Sequence, residues 1–131
     1  RDRREGCGIF LVRAVVDAVV ARPNVGVYFA HHTYAGVILR PYGGHADDHF
    51  PTADLKLYQA MGARATEITG YETVSVFHDF KYDPKQTIKG GAHDWLYDHL
   101  GVYSWTTEFW SPRTAVRPVA RRSTAGWSRS A

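Results

Sequence analysis

What is scarce in this chain excludes more than what is abundant. One cysteine, Cys7, occurs in 131 residues, which rules out an internal disulfide and any cysteine-rich metal site and leaves the redox compartment open. Cys7 reads as a bystander. No apolar run approaches the about 18 residues that a membrane-spanning helix requires, so no membrane role is expected. The opening RDRREGCGIFLV is too charged, and its apolar part too short, for a secretory signal. Histidine-based zinc motifs are also missing: none of the seven histidines begins HxxE or HExxH, and the nearest approach is His45 with Asp48. Acids are absent from residues 113–131, which carry five arginines.

What is present suits one folded domain, with 44% apolar and 14% aromatic residues, ample for a core. The net charge of +3 belongs to the ends. Residues 14–112 hold seven Lys and Arg against eleven acids. A groove-reading face needs basic residues clustered on folded elements, so nucleic acid is not an expected partner. Composition divides the chain into a basic N-terminal segment 1–12, a domain 13–112, and an Arg-rich tail 113–131 with no hydrophobic period, which is expected to be disordered.

Within the domain, LVRAVVDAVVAR (11–22) spaces its valines as an amphipathic helix. VGVYFA (25–30) is a short continuous apolar run, expected to be a strand buried on both faces of a mainly parallel sheet. The apolar GVILRPYGG and the polar loop HADDHF follow. Thr52 is expected to cap a second helix running to Thr69, with Leu55, Tyr58, Met61, Ala65 and Ile68 on its buried stripe and Gly70 as its stop. TVSVF (73–77) reads as a strand, a short helix spans Asp94 to Leu100 and halts at Gly101, and 102–109 is the last strand. Helices alternating with apolar strands make the fold α/β, with a mainly parallel sheet flanked by helices.

Two residues share a structural address. His32 follows the strand 25–30 and Glu108 ends the strand 102–109. In open α/β sheets, loops converge at the carboxyl ends of parallel strands, and ligands sit there. An imidazole can ligate zinc, and a carboxylate beside a metal-held water can act as a general base. The residues alone equally allow a hydrogen-bonded core histidine and a rim carboxylate. His45 and His49 lie four apart, but Gly43, Gly44 and Pro51 favour a solvated loop over a chelating helix. His78, His93 and His99 have no companion at ligand spacing.

HHTYAGVILRPYG and DWLYDHLGVYSWTTEF, in this order, resemble two segments of the M14 zinc carboxypeptidases. The fourteen-residue step from Asp94 to Glu108 equals the family's step from its DW motif to its catalytic glutamate. The stretch between them is similar to a bacterial subgroup of that family. The resemblance implies that His32 is a zinc ligand, that Tyr34 lies beside it in the cleft, and that Glu108 is the general acid/base. It further implies that His93 helps set side-chain preference. Zinc is the implied cofactor, and a peptide or protein C-terminus the implied substrate.

Two departures stand beside this. The family's substrate tyrosine meets Gln86 in an ungapped alignment, and Tyr82 serves only if the loop is longer here. The family's HxxE ligand pair and its carboxylate-clamping residues lie upstream of the matched region and are absent from these 131 residues. One zinc ligand of three holds no catalytic metal at normal affinity. The expectation is therefore the C-terminal portion of a metallocarboxypeptidase domain, weakly active or inactive alone, with a complementing polypeptide as a partner. The alternative is a non-enzymatic remnant or binding module of the same fold. Either form should leave unpaired strand edges and be marginally soluble.

Overall fold

The computed structural model describes residues 13–80, 83 and 85–110. Segment 1–12 with Cys7, the tail 113–131 and Tyr82 lie outside the described residues.

Among the described residues, four strands form one mixed sheet in the order β1-β4-β2-β3. Helix α1 covers residues 13–20 and is followed by β1 (Val27–Thr33), β2 (Val37–Arg40) and a 3-10 turn at Asp47–His49. Then come α2 (Thr52–Thr69), β3 (Glu72–Ser75), α3 (Val76–Asp79), α4 (Ala92–Leu100) and β4 (Tyr103–Phe109). β1 runs parallel to β4 and β2 parallel to β3, whereas β2 and β4 are antiparallel. The two parallel pairs need helical crossovers; α2 supplies one between β2 and β3, and α4 leads into β4. The fold is α/β with a mostly parallel sheet flanked by helices, as the alternating pattern predicts.

The glycine stops act as expected: Gly70 and Gly101 adopt the left-handed conformation at the ends of α2 and α4. Several expectations need correction. Pro51 precedes α2 as its cap and Thr52 is the first helical residue, with no side-chain cap bond. Ile68 is 68% exposed, so the buried stripe of α2 ends before it. The run 73–77 is split, because Ser75 caps a helical turn. Its hydroxyl accepts from the His78 N–H at 3.3 Å, and its own N–H donates to the Asp79 carboxylate at 2.9 Å. These reciprocal bonds turn the chain out of the sheet.

The largest correction concerns β1. It extends through His32 rather than ending before it, and it is not buried on both faces, since Val27 and Phe29 are 46% and 47% exposed. The cause is topological. β1 stands at the sheet edge and pairs only with β4 among the described residues.

The core is aromatic. Ile38, Tyr42, Phe50, Tyr58, Tyr97 and Trp105 form one buried cluster, and tilted ring pairs such as Tyr58 with Trp105 (centroids 5.0 Å apart) each add about 0.5–1.5 kcal/mol beyond their area burial. Buried phenols need partners, and each finds one. The Tyr58 hydroxyl accepts the Ser104 N–H at 3.1 Å, and burial pushes its pKa up to about 12. The Tyr42 hydroxyl donates to Asp98 at 2.7 Å. Tyr97 and Tyr103 donate to the two oxygens of Asp54 at 2.5 and 2.8 Å, and these bonds, Tyr97's first, hold the Asp54 carboxyl below its ordinary value.

Candidate active site

Glu108 lies in β4, one of the two inner strands, and β1 places His32 beside it. In the parallel register of β1 and β4, His32 is the partner of Glu108. Partners in register project on the same face of a sheet, and the His32 Nδ1 comes to 3.4 Å from the Glu108 Oε1. The carboxylate is 12% exposed and the imidazole 59%. The acid is therefore sheltered and the histidine opens to solvent. A second constraint fixes the strand itself: the Gly36 N–H donates to the Glu108 carbonyl at 2.8 Å, tying the β1–β2 turn to the strand that carries the acid. The peptide bonds Thr33–Tyr34 and Pro41–Tyr42 in this region are cis.

The two sequence segments that hold these residues also meet a second time. The Asp94 carboxylate accepts the Gly43 N–H with its two oxygens at 3.0 and 3.2 Å. The fit leaves no room for a side chain at residue 43, because a Cβ there would run into the Ile88 carbonyl. Asp94 thus positions the start of α4, and with it His93, against the loop after β2.

His93 sits on the same sheet face as the His32–Glu108 pair but is not in contact with it. Ser104, Thr106 and Glu108 alternate along β4 and share one face. Ser104 donates to the His93 carbonyl at 2.5 Å, and the Thr106 hydroxyl is 3.5 Å from the His93 Nδ1. The His93 Nε2 lies 3.2 Å from an Asp94 oxygen yet is buried without a hydrogen bond. Sequence reasoning had no role for Ser104 or Thr106, although the period of two in SWTTEF, counted back from Glu108, marks both. Tyr34 lies just past the end of β1, 69% exposed. Tyr82 falls outside the described residues.

The HADDH segment is a solvated turn, as expected, with His45, Asp48 and His49 exposed, and Asp47 tethers it. Arg40, almost fully buried, grips both Asp47 oxygens at 2.8 and 2.7 Å. The His78 Nε2 lies 3.6 Å from the same carboxylate, and the His45 and His49 rings stack with centroids 4.2 Å apart. Among the described residues, no group of three His, Cys, Asp or Glu side chains could hold a metal ion. A protein zinc site takes at least three protein ligands, so His32 with Glu108 does not make one, and the described donor set does not fit zinc unaided.

The zinc carboxypeptidase family model matches residues 10–124. Carboxypeptidase B2 of Rattus norvegicus is 28% identical over 140 residues, an alignment covering 95% of this chain and 33% of that protein. Carboxypeptidase A1 of Rattus norvegicus and of Mus musculus are each 24% identical over 120 residues, covering 86% of this chain and 28% of theirs. The chain therefore spans about a third of the curated relatives it matches. A strand register that joins an imidazole to a sheltered carboxylate, on a sequence matched by that model along most of its length, assigns this chain to the zinc carboxypeptidase family.

Proposed function

We propose that this chain carries the general acid/base half of a metallocarboxypeptidase centre, which hydrolyses the C-terminal peptide bond of a peptide or protein once a complementing polypeptide adds the further zinc ligands. The observation that carries this reading is the 3.4 Å approach of His32 to Glu108 across adjacent parallel strands. In it, Glu108 takes a proton from the attacking water and returns it to the leaving amine, work for which a sheltered carboxylate beside a solvent-open imidazole is suited. His32 offers one imidazole to zinc. Tyr34, and Tyr82 if its loop reaches, contact the substrate. His93, half a strand away on the same face, contributes to side-chain preference and biases it toward acidic or polar residues.

Zinc titration of the purified chain tests the division of labour. Weak binding is expected from the chain alone, and stoichiometric tight binding by the monomer would remove the need for a complement. With the complement present, release of C-terminal residues from peptides ending in Glu, Ser or Leu should appear, and Glu108→Gln should lower it by roughly 10²–10⁴-fold. Equal release of Glu and Leu would dismiss the role given to His93.

A second reading has one observation in its favour: no three-ligand cluster exists among the described residues. In this reading the chain is a binding module that keeps the sheet and has no chemistry. Peptide binding without hydrolysis, unchanged by zinc or by Glu108→Gln, would support it.

A further inference from the structure

At the end of β4 opposite Glu108, aromatic rings and two carboxylates surround an open cavity. Its volume is about 340 Å³ and its lining includes Tyr42, His49, Asp54, Tyr97, Asp98 and Tyr103, a size that suits a small ligand or a single side chain. Tyr103 opens β4 and Glu108 is its penultimate residue, so at about 3.3 Å per residue roughly 16 Å of strand separates cavity and acid. The two places do not overlap. The rings stand close together: the Tyr97 centroid lies 5.8 Å from that of Tyr42 and 5.9 Å from that of Tyr103, and Tyr42 lies 4.8 Å from His49. Phenols fix both carboxylates. Tyr42 donates to one oxygen of Asp98 at 2.7 Å, and Tyr97 and Tyr103 donate to the two oxygens of Asp54.

Those bonds satisfy the phenols without cancelling the charge, because a phenol is a neutral donor that favours the ionised carboxylate. Other acids of the fold have cations: Asp47 is gripped by Arg40, and Asp17 and Glu67 lie against Arg13 and Arg64. Asp54 and Asp98 have no ion-pair partner among the described residues. A cavity that sets two negative charges against aromatic rings, with no cation of its own, is complementary to one from outside.

We infer that this cavity binds a guanidinium group, as carried by an arginine side chain. A metal ion is the poorer occupant, since among the described residues no group of three His, Cys, Asp or Glu side chains could hold one. An ammonium is compact and strongly hydrated, whereas a guanidinium is flat, weakly hydrated, lies against aromatic rings and forks into carboxylates. Acceptors are in place for it. Asp98 has one oxygen outside its bond to Tyr42, and each Asp54 oxygen retains a second lone pair. The site is independent of the functional reading above.

Titration of the full chain with methylguanidinium chloride, followed by backbone amide NMR at pH 7, tests the site. Saturable shifts should concentrate at residues 49–54 and 97–103, and methylurea, which has the same shape and no charge, should not produce them. Asp98→Asn removes one charge and keeps an acceptor for Tyr42, so it should weaken binding about tenfold or more with the fold unchanged by circular dichroism. Asp48→Asn, outside the cavity, should leave the affinity as it was. The methylurea comparison needs no variant, so it decides the matter even where Asp98→Asn fails to fold. Replacing the five arginines of residues 113–131 by glutamine in the full chain identifies the source. Tighter methylguanidinium binding by that variant makes one of the chain's own arginines the occupant, and unchanged binding assigns the cavity to an arginine of another molecule. Equal response to methylguanidinium and methylurea overturns the inference, as does stronger binding of calcium ion than of methylguanidinium, or an affinity that a folded Asp98→Asn variant retains.

Discussion

The two flanks of the sheet are built to different standards. Toward α2, Trp105, Tyr58 and Ile38 are buried to 3% exposure or less and every phenol in the cluster has a partner. Toward β1, Val27 and Phe29 stay half exposed although the same strand pair is fully in register. Burial follows coverage rather than residue type, because Phe29 stacks on the buried Trp105 and is itself open. The candidate site lies on the seam between the flanks. Glu108 takes its rigidity from the packed side, and His32 takes its openness from the bare one.

The largest expected effect comes from breaking the packed flank. Trp105→Ala removes a side chain under 2% exposed and should cost about 3–5 kcal/mol, much of a small domain's total stability. Chemical denaturation reads it, and a loss near 1 kcal/mol would mean that the aromatic cluster is loosely packed. Gly43→Ala comes next. The added methyl must displace the Ile88 carbonyl and strain the Asp94 clamp, for about 1–3 kcal/mol. If the clamp positions α4, exchange at the first turn of α4 should rise with it, and a stable variant with unchanged exchange would show that the loop yields freely.

This contrast also explains what could be read from the sequence. The helical period of α2, its glycine stop and the order of elements follow from local pattern, and all are present. The join of His32 to Glu108 was legible because the address of a parallel strand's carboxyl end depends on direction rather than on long-range packing. The exposure of β1 was not. VGVYFA has the composition of a doubly buried strand, and the number of elements covering it is set by topology, which apolar content does not encode. The end of β3 was missed for a local reason: the β-branched and aromatic residues of TVSVF continue past Ser75 without a break, yet one serine with an aspartate four residues on suffices to cap a helical turn. Ser104 and Thr106 escaped because small hydroxyls carry no chemical signature until a partner, here His93, is in place.

Changing pH sharpens the comparison, because the resolved shifts all fall on the tyrosine side. Asp54, held below its ordinary 3.8 by Tyr97 and then Tyr103, stabilises the fold at pH above 3.8, and this contribution disappears as pH falls through its lower folded value. Asp54→Asn should therefore flatten the acid limb of the stability curve. The phenols act in the opposite direction. Tyr58 is raised by burial from 10.0 to about 12, and Tyr42 and Tyr97, also chiefly through burial, are raised further. Their contribution is intact below pH 10 and is lost as pH climbs through the folded values, since the unfolded chain then releases protons that the folded one retains. Absorbance near 295 nm should show these phenols ionising together with loss of the near-ultraviolet dichroism signal. Ionisation well before unfolding would place them in water.

The smallest effect is expected on the bare flank. Phe29→Lys removes an aromatic ring that is already 47% exposed. Fully burying a phenylalanine stabilises by about 1.5–3 kcal/mol, so half of that is the most the ring supplies, and the lysine stem recovers part of it along the same surface. The change in the isolated chain should be about 1 kcal/mol or less, several times smaller than at Trp105, its stacking partner. The substitution also places a charge on an unprotected edge, so it should raise the concentration at which the chain stays monomeric in sedimentation. A loss matching that of Trp105→Ala would mean that β1 belongs to the core and that its exposed face is covered in solution by the chain's own residues.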